Sequence, residues 1–405
     1  PIVTSTTLRP ELLPDAAPTV PAQRAFLGHP VGLGWLAFCE FWERFSYYGM
    51  QALLVLYLSN HLFLPEHAGT VAGLQTLRGW IEGVTGPRSP QQLASVVFGL
   101  YAGLVYLTPI FGGLLADRWL GRTRTVVIGA SLMALGHFLM AFETLLLPAL
   151  ACLLLGVGCF KGNIAAQVGD LYVPGDQRRA SAFQIFMLAV QIAVIASPIV
   201  CGTLGEKIGW HWGFGSAGVG MLIGLLIYLA GRKHLPPEQP RGKQDAAAPK
   251  EKLGREGWAR MLLLIGLLPL LMLSIVGNQQ FNNAYPLWSQ KHMDLLLWGF
   301  QVPVSWLQAV DAAVSLGTML ASIAFWRWWA TRRKEPDELS KMAMGSLIAA
   351  CAPALLILAA QQIDAGGAKI SPLWTLGYTL LNNLGFANIL PVGLALYSRV
   401  SPVRL

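Results

Sequence analysis

The sequence predicts an all-α polytopic membrane protein built from two helix bundles. Hydrophobic residues make up 54% of the 405 positions and charged residues only 12%, and the mean hydropathy is +0.51. Ordinary soluble domains carry about twice this share of charge, roughly a quarter of all residues. The apolar residues form long runs, and the alternation of apolar and polar residues that a membrane β-barrel needs is absent from the sequence.

Ten apolar runs are long enough to cross a bilayer, for which a helix needs roughly 20 mostly apolar residues. In chain order, the predicted spans cover residues 32–60, 92–116, 124–142, 144–168, 180–203, 212–231, 259–287, 299–327, 341–362 and 372–398.

Positive charge divides the loops into two classes. Arginine and lysine cluster between spans two and three, four and five, six and seven, and eight and nine. Because cytoplasmic loops carry an excess of these residues, we expect them and the amino terminus to be cytoplasmic. This topology accounts for the net charge of +8, so a nucleic-acid partner is not expected. The opposite loops hold only Arg78, Arg88, Lys207, Lys291 and Lys369.

A charged, proline-rich stretch at 232–257 predicts a flexible cytoplasmic linker. It would follow a cytoplasmic segment, 1–31, and a six-helix bundle, 32–231, and precede a second bundle, 258–405. Transporters of this organisation commonly pair two six-helix repeats. With four predicted spans, the second bundle is expected to be incomplete by two.

The first span contains three charges, Glu40, Glu43 and Arg44. A charge at the centre of a membrane helix costs at least about 2.5–3.5 kcal/mol on insertion scales. The positions i, i+3 and i+4 share one helix face, which indicates a polar pathway. The alternative is a structural ion pair that joins two helices.

The segment from Glu40 to Leu54 resembles the ExxERFxYYG signature of the proton-dependent oligopeptide transporters, a branch of the major facilitator superfamily. This resemblance extends over nearly the whole chain from about residue 32 and implies twelve spans. Further stretches similar to the family are residues 106–109, 112–122, 156–172, 209–214 and 391–394.

The resemblance implies roles for individual residues. In this family the first-span charges and a fourth-span lysine, here Lys161, form a proton-linked cluster near the carboxylate of the bound peptide. Tyr47, Tyr48 and Tyr106 match positions that line the peptide site, although tyrosine in a membrane helix also serves in packing or interface anchoring.

Several positions depart from the family pattern. Gln51 and Asn278 replace an arginine and an acid that can form an ion pair in relatives, and an amide contact is expected instead. Gln191 replaces an asparagine at the peptide's amino end, and Phe386 replaces the tenth-span glutamate. Asp311 stands where asparagine is usual, so we expect it to receive the substrate ammonium or to pair with Lys161. An interhelical hydrogen bond is the alternative.

The loop between spans two and three carries Asp117, Arg118 and Arg122, which are expected to help close the cytoplasmic side. The five cysteines show no metal-binding spacing, and no nucleotide-binding or nucleophile–base motif is present. We therefore expect no cofactor besides the proton as coupling ion, no metal and no enzymatic activity.

Together these features predict a monomeric proton-coupled symporter that imports di- and tripeptides across a bacterial-type inner membrane. The bilayer, protons and a small peptide would be its partners. A transporter of another small metabolite or organic anion, and a transport-inactive peptide sensor, remain as alternatives.

Overall fold

The computed structural model describes residues 26–173, 175–237, 255–366 and 369–400. Its helical content is 82%, which confirms the predicted all-α fold. The α-helices of this part of the chain are α1 Val31–Tyr57, α2 Leu74–Thr85, α3 Pro90–Leu115, α4 Arg122–Leu139, α5 Leu146–Asp170, α6 Arg178–Thr203, α7 Trp210–Gly231, α8 Arg255–Gln279, α9 Ala284–His292, α10 Trp306–Ala330, α11 Glu338–Gly366 and α12 Leu373–Val400.

Six helical stretches in the described residues are long and apolar enough to cross a membrane by length and composition. The first helix, α1, is not among them and carries the three charges noted above. The six stretches are Pro90–Leu120, Glu143–Asp170, Arg178–Ile208, Trp210–His234, Trp306–Ala330 and Glu338–Gly366.

The predicted seventh and eighth spans were wrong in detail. The seventh, 259–287, is broken after Gln279 by a short 3₁₀ turn, and α9 follows it. The eighth, 299–327, begins at Trp306 because a hairpin of β1 Leu296–Leu297 and β2 Phe300–Gln301 precedes it. Both turn residues, Trp298 and Gly299, have positive φ, the geometry of a tight two-residue hairpin.

Two helices of the first bundle meet backbone to backbone. A Cβ added at Gly112 on α3 would lie 2.0 Å from the carbonyl oxygen of Gly158 on α5. Only small residues permit such an approach between membrane helices. This crossing places Tyr106 of α3 beside Lys161 of α5.

In the part of the chain that the structure describes, three helices end in a π-helical turn: α1 in Leu58–Leu62, α3 in Ala116–Leu120 and α6 in Leu204–Ile208. In each, the backbone N–H that follows the turn donates to a carbonyl five residues earlier, at 2.9–3.0 Å. These turns lie at helix ends, where they do not interrupt the packed centre of a span.

The bundles have two ends. We call the end that carries residues 58–63, 140–145, 204–210 and 280–305 the distal face. The end that carries residues 26–30, 116–121, 171–173 and 232–237 is the proximal face. Contacts such as the bridge from Met293 to Ile370 and the pair His29–Tyr172 hold loops together at the distal and proximal ends respectively.

Candidate functional site

One helix turn of α1 brings the three first-span charges together. The Nε atom of Arg44 lies 2.9 Å from Glu40 Oε1 and 2.6 Å from Glu43 Oε2. All three residues are buried, with Glu43 at 0% exposure. A single guanidinium nitrogen therefore stands between two carboxylates in the interior of the bundle.

This cluster leaves polar atoms without protein partners. Within the described residues, Arg44 Nη2, Glu40 Oε2 and Glu43 Oε1 make no hydrogen bond. The two short Nε contacts are ion pairs by distance, and neither is aligned as an N–H···O hydrogen bond. Because an unsatisfied buried donor destabilises a protein, especially a charged one, the guanidinium is suited to receive an anionic group.

A second cation faces the same region from α5. The Nζ atom of Lys161 lies 4.9 Å from the ring centroid of Tyr106. Lys161 also interacts electrostatically with Glu40, Glu43 and Arg44, although no carboxylate of the described residues lies within 4.0 Å of it. The structure thus assembles two cations and two carboxylates from α1 and α5.

Aromatic rings flank the cluster. The Arg44 Cζ atom lies 5.7 Å from the ring centroid of Tyr47, and the rings of Tyr47 and Tyr48 meet edge to face at 5.2 Å. Tyr47 is buried, whereas Tyr106 is 64% exposed. Tyr48 is half-buried, so Tyr106 is the most exposed of the three tyrosines.

Asp311 of α10 accepts a hydrogen bond from Asn383 Nδ2 of α12 at 2.6 Å. The structure thus contains the interhelical bond that the sequence left as an alternative, and the Asp311–Lys161 pair is not formed. On the same helix, Gln308 is buried and its Nε2 has no partner among the described residues. Asp311 and Gln308 are two of the polar groups that α10 buries.

The expected amide contact between Gln51 and Asn278 is not formed. Gln51 is buried on α1 and its Oε1 has no hydrogen-bond partner in the described part of the chain, while Asn278 on α8 is half-buried. Gln191 on α6 is also half-buried. Other residues join the bundles instead.

The main polar contact between the bundles lies at the distal face and involves Glu206, which the sequence analysis missed. Its two carboxylate oxygens accept from the backbone N–H groups of Val304 at 2.7 Å and Ser305 at 2.9 Å. These N–H groups precede α10, where the first donors of a helix have no intrahelical partner. The position of Glu206 just past the fifth predicted span could have indicated this contact. The predicted eighth span, 299–327, however, placed the two N–H donors inside a helix, where they would bond within that helix.

Further contacts reinforce this closure. Trp306 Nε1 donates to Thr203 Oγ1 at 2.8 Å, and Asn60 Nδ2 donates to Gln290 Oε1 at 2.7 Å. Ser305 also packs directly on Gly202, where an added Cβ would lie 1.9 Å from its Oγ. The distal face is therefore closed.

At the proximal face, Arg122 Nη1 pairs with Asp170 Oδ2 at the end of α5. This contact joins α4 and α5, and the expected role of Arg122 in closing the cytoplasmic side stays a prediction. Asp117 and Arg118 lie exposed on the π-helical turn that follows α3.

The fold and the buried cluster together define an integral membrane transporter of the major facilitator type. The chain belongs to the POT family, whose pattern matches residues 123–253. A peptide transporter of Yersinia enterocolitica, YePEPT, is 30% identical over 454 residues, covering 95% of this chain and 84% of that protein. A di-/tripeptide transporter of Lactococcus lactis subsp. cremoris is 28% identical over 446 residues, covering 94% and 85%.

Solved structures show the same fold. A mutant of the peptide transporter POT in complex with alafosfalin superposes with a TM-score of 0.76 at 28% identity, covering 94% of this chain and 84% of that one. The peptide transporter POT in complex with sulfate gives a TM-score of 0.73 at 27% identity, with 94% and 85% coverage.

Proposed function

We propose that this protein is a proton-coupled symporter that imports di- and tripeptides by alternating access. The observation that carries this proposal is the buried guanidinium of Arg44, which is shared by two carboxylates and keeps a nitrogen without a hydrogen-bond partner among the described residues. The relatives named as peptide and di-/tripeptide transporters support peptides as the substrate class.

Coupling follows from competition for cations. A peptide carboxylate that binds Arg44 and Lys161 weakens their hold on Glu40 and Glu43. A buried carboxylate that loses a nearby cation is stabilised by taking up a proton. Peptide and proton would therefore load together, and release of either would restore the ion pairs.

Tyr47, Tyr48 and Tyr106 would line the peptide backbone near this cluster. At the other end of the peptide, Asp311 would receive the ammonium group, with Gln191 and Asn278 as uncharged partners. Loading would require Asp311 to exchange its bond with Asn383 for the ammonium.

A second candidate substrate is an organic anion without an amino group. It is favoured by Phe386, which stands where the family resemblance implies an acid, and by the hydrogen bond that already occupies Asp311. Such a substrate would use Arg44 and Lys161 alone. A transport-inactive sensor is less favoured, because binding alone does not require a titratable cluster.

The proposed topology places the proximal face in the cytoplasm of a bacterial-type cell and the distal face outside. The bundles 32–231 and 258–405, joined by the linker 232–257, would rock around the central site, and closure by Glu206 would define an inward-facing state. Asp117 and Arg118 would meet the second bundle when the proximal face closes.

The test is uptake of labelled dialanine by proteoliposomes under an inward proton gradient. Glu43→Gln should abolish gradient-driven uptake and retain peptide exchange, because the amide keeps the shape of the site and cannot carry the proton. Glu66→Gln, in the exposed loop that follows α1, is the matched control. Unchanged gradient-driven uptake in Glu43→Gln would refute the coupling role, and failure of the folded protein to bind any short peptide would refute the substrate.

A further inference from the structure

Three potential metal ligands meet at the distal face, away from the peptide site. His61 lies in the π-helical turn after α1, His67 lies in the following loop, and Glu143 begins the short helix between α4 and α5. Glu143 Oε1 lies 2.7 Å from His61 Nε2, and Glu143 Oε2 lies 3.2 Å from His67 Nδ1. The candidate ligand atoms of the three residues all lie within 4.8 Å of one another.

The loop is held in place around this cluster. Thr70 Oγ1 donates to the carbonyl of His67 at 2.7 Å and lies 3.3 Å from Glu143 Oε2. The backbone N–H of Ala72 donates to the carbonyl of Thr144 at 3.2 Å. The loop that carries His67 is therefore fastened to the segment that carries Glu143.

Aromatic packing fixes the orientation of the His61 ring. The His61 ring stacks on Tyr57 at a centroid distance of 5.6 Å, and Tyr57 is 3% exposed and packs on Phe214 and Trp210. Such supporting contacts fix the orientation of a metal ligand and strengthen binding. Three separate segments of the first bundle, the turn after α1, the loop after that turn and the short helix before α5, thus bring one potential ligand each to this cluster.

We propose that His61, His67 and Glu143 bind a single transition-metal ion, for which Zn²⁺ is the best match. Two imidazole nitrogens and one carboxylate form a ligand set typical of zinc, whereas Ca²⁺ and Mg²⁺ prefer oxygen ligands. Tetrahedral zinc with ligand distances of about 2.0–2.2 Å places ligand atoms roughly 3.3–3.6 Å apart. Because the candidate atoms lie within 4.8 Å of one another, the widest pair needs to close by at most about 1.5 Å.

Solvent can supply the remaining ligand of the ion. The side chains of His61, His67 and Glu143 are 29%, 32% and 32% exposed, so an ion can reach them and keep a water ligand. The metal would accept the lone pairs of His61 Nε2 and His67 Nδ1, and each neutral imidazole would then carry its proton on the other ring nitrogen, His61 Nδ1 and His67 Nε2.

The site also adjoins the closed gate. Asn60, which precedes His61, makes the hydrogen bond to Gln290 across the bundles. All three ligands belong to the first bundle, so rocking of the bundles does not pull them apart. Metal binding can therefore be measured independently of transport and of the proposed peptide site.

The test is isothermal titration of zinc chloride into the purified full-length protein, without a histidine tag and after treatment with a chelator. One ion should bind per chain, and His61→Ala and Glu143→Gln should each weaken binding at least about tenfold. The matched control is His211→Ala, an exposed distal-face histidine outside the cluster, which should bind as the parent does. Calcium chloride should give no binding at the same concentration.

X-ray absorption at the zinc edge provides a second measurement on the unaltered protein, so a variant that fails to fold does not decide the outcome. A spectrum with two imidazoles and additional oxygen ligands supports the site. Absence of stoichiometric binding by the parent, unchanged affinity in folded His61→Ala and Glu143→Gln, or a spectrum without imidazole overturns it.

Discussion

Replacing Glu206 with glutamine should open the distal face. Each carboxylate oxygen accepts one backbone N–H, from Val304 and from Ser305. Hydrogen bonds to charged groups contribute about 1.5–3 kcal/mol each. Glutamine keeps one acceptor oxygen, loses the charge and turns an NH₂ group toward the other donor. We therefore expect the closed state to lose about 2 kcal/mol, on the order of a 30-fold change in the ratio of closed to open molecules.

The assay uses a cysteine placed at Val304, which is 4% exposed in the closed structure. Its reaction rate with a maleimide in detergent reports the open fraction, because reagent reaches the thiol only after the bundles separate at this face. The rate in Val304→Cys/Glu206→Gln should exceed that in Val304→Cys alone by about 30-fold, following the free-energy estimate above. Protein without the added cysteine supplies the background from the natural thiols.

The control is Glu66→Gln in the same cysteine background, because Glu66 is an exposed distal-face acid. It should leave the labelling rate unchanged. If Glu206→Gln labels no faster than this control, the carboxylate does not hold the gate closed and our reading of the contact is wrong.

Three further predictions follow from other contacts. Gly202→Val should also raise the maleimide labelling rate in the Val304→Cys background, because the valine side chain would overlap Ser305. A rate equal to that of Val304→Cys alone would show that the contact between Gly202 and Ser305 does not hold the gate closed. Asp311→Asn should weaken binding of dialanine, measured by titration, without weakening binding of a peptide analogue that lacks the amino group; equal effects on both would count against an ammonium contact. Gly112→Leu should lower the unfolding temperature measured in detergent, because it forces α3 away from Gly158; a stable variant would contradict the close crossing.

Hydropathy was sufficient to predict most of the helices, because crossing a bilayer requires long apolar runs. It failed at residues 299–305, where the chain is apolar and yet forms a hairpin and a turn. The geometry there depends on the positive φ of Trp298 and Gly299, which hydropathy does not register. The helix α2 was missed because its 12 residues are too few for a span.

Sequence could predict the contacts of the candidate site within one helix, and not those between helices. The meeting of Glu40, Glu43 and Arg44 follows from spacing on a single helix, so sequence alone could predict it. The bonds from Asp311 to Asn383 and from Glu206 to Val304 join residues 72 and 98 positions apart. Such contacts depend on how one helix is positioned against another, which a pattern within one segment does not reveal.

The π-helical turns that end α1 and α6 show how membrane helices acquire new terminal contacts. Each accommodates one residue more than an α-helical turn would, which rotates the residues beyond it by about 100° without disturbing the packed span. Asn60 and Glu206, both of which reach across to the other bundle, lie in these turns. Insertion or deletion of a single residue at a helix end is therefore enough to redirect a gate contact, so the gate can diverge among relatives while the bundle itself stays the same.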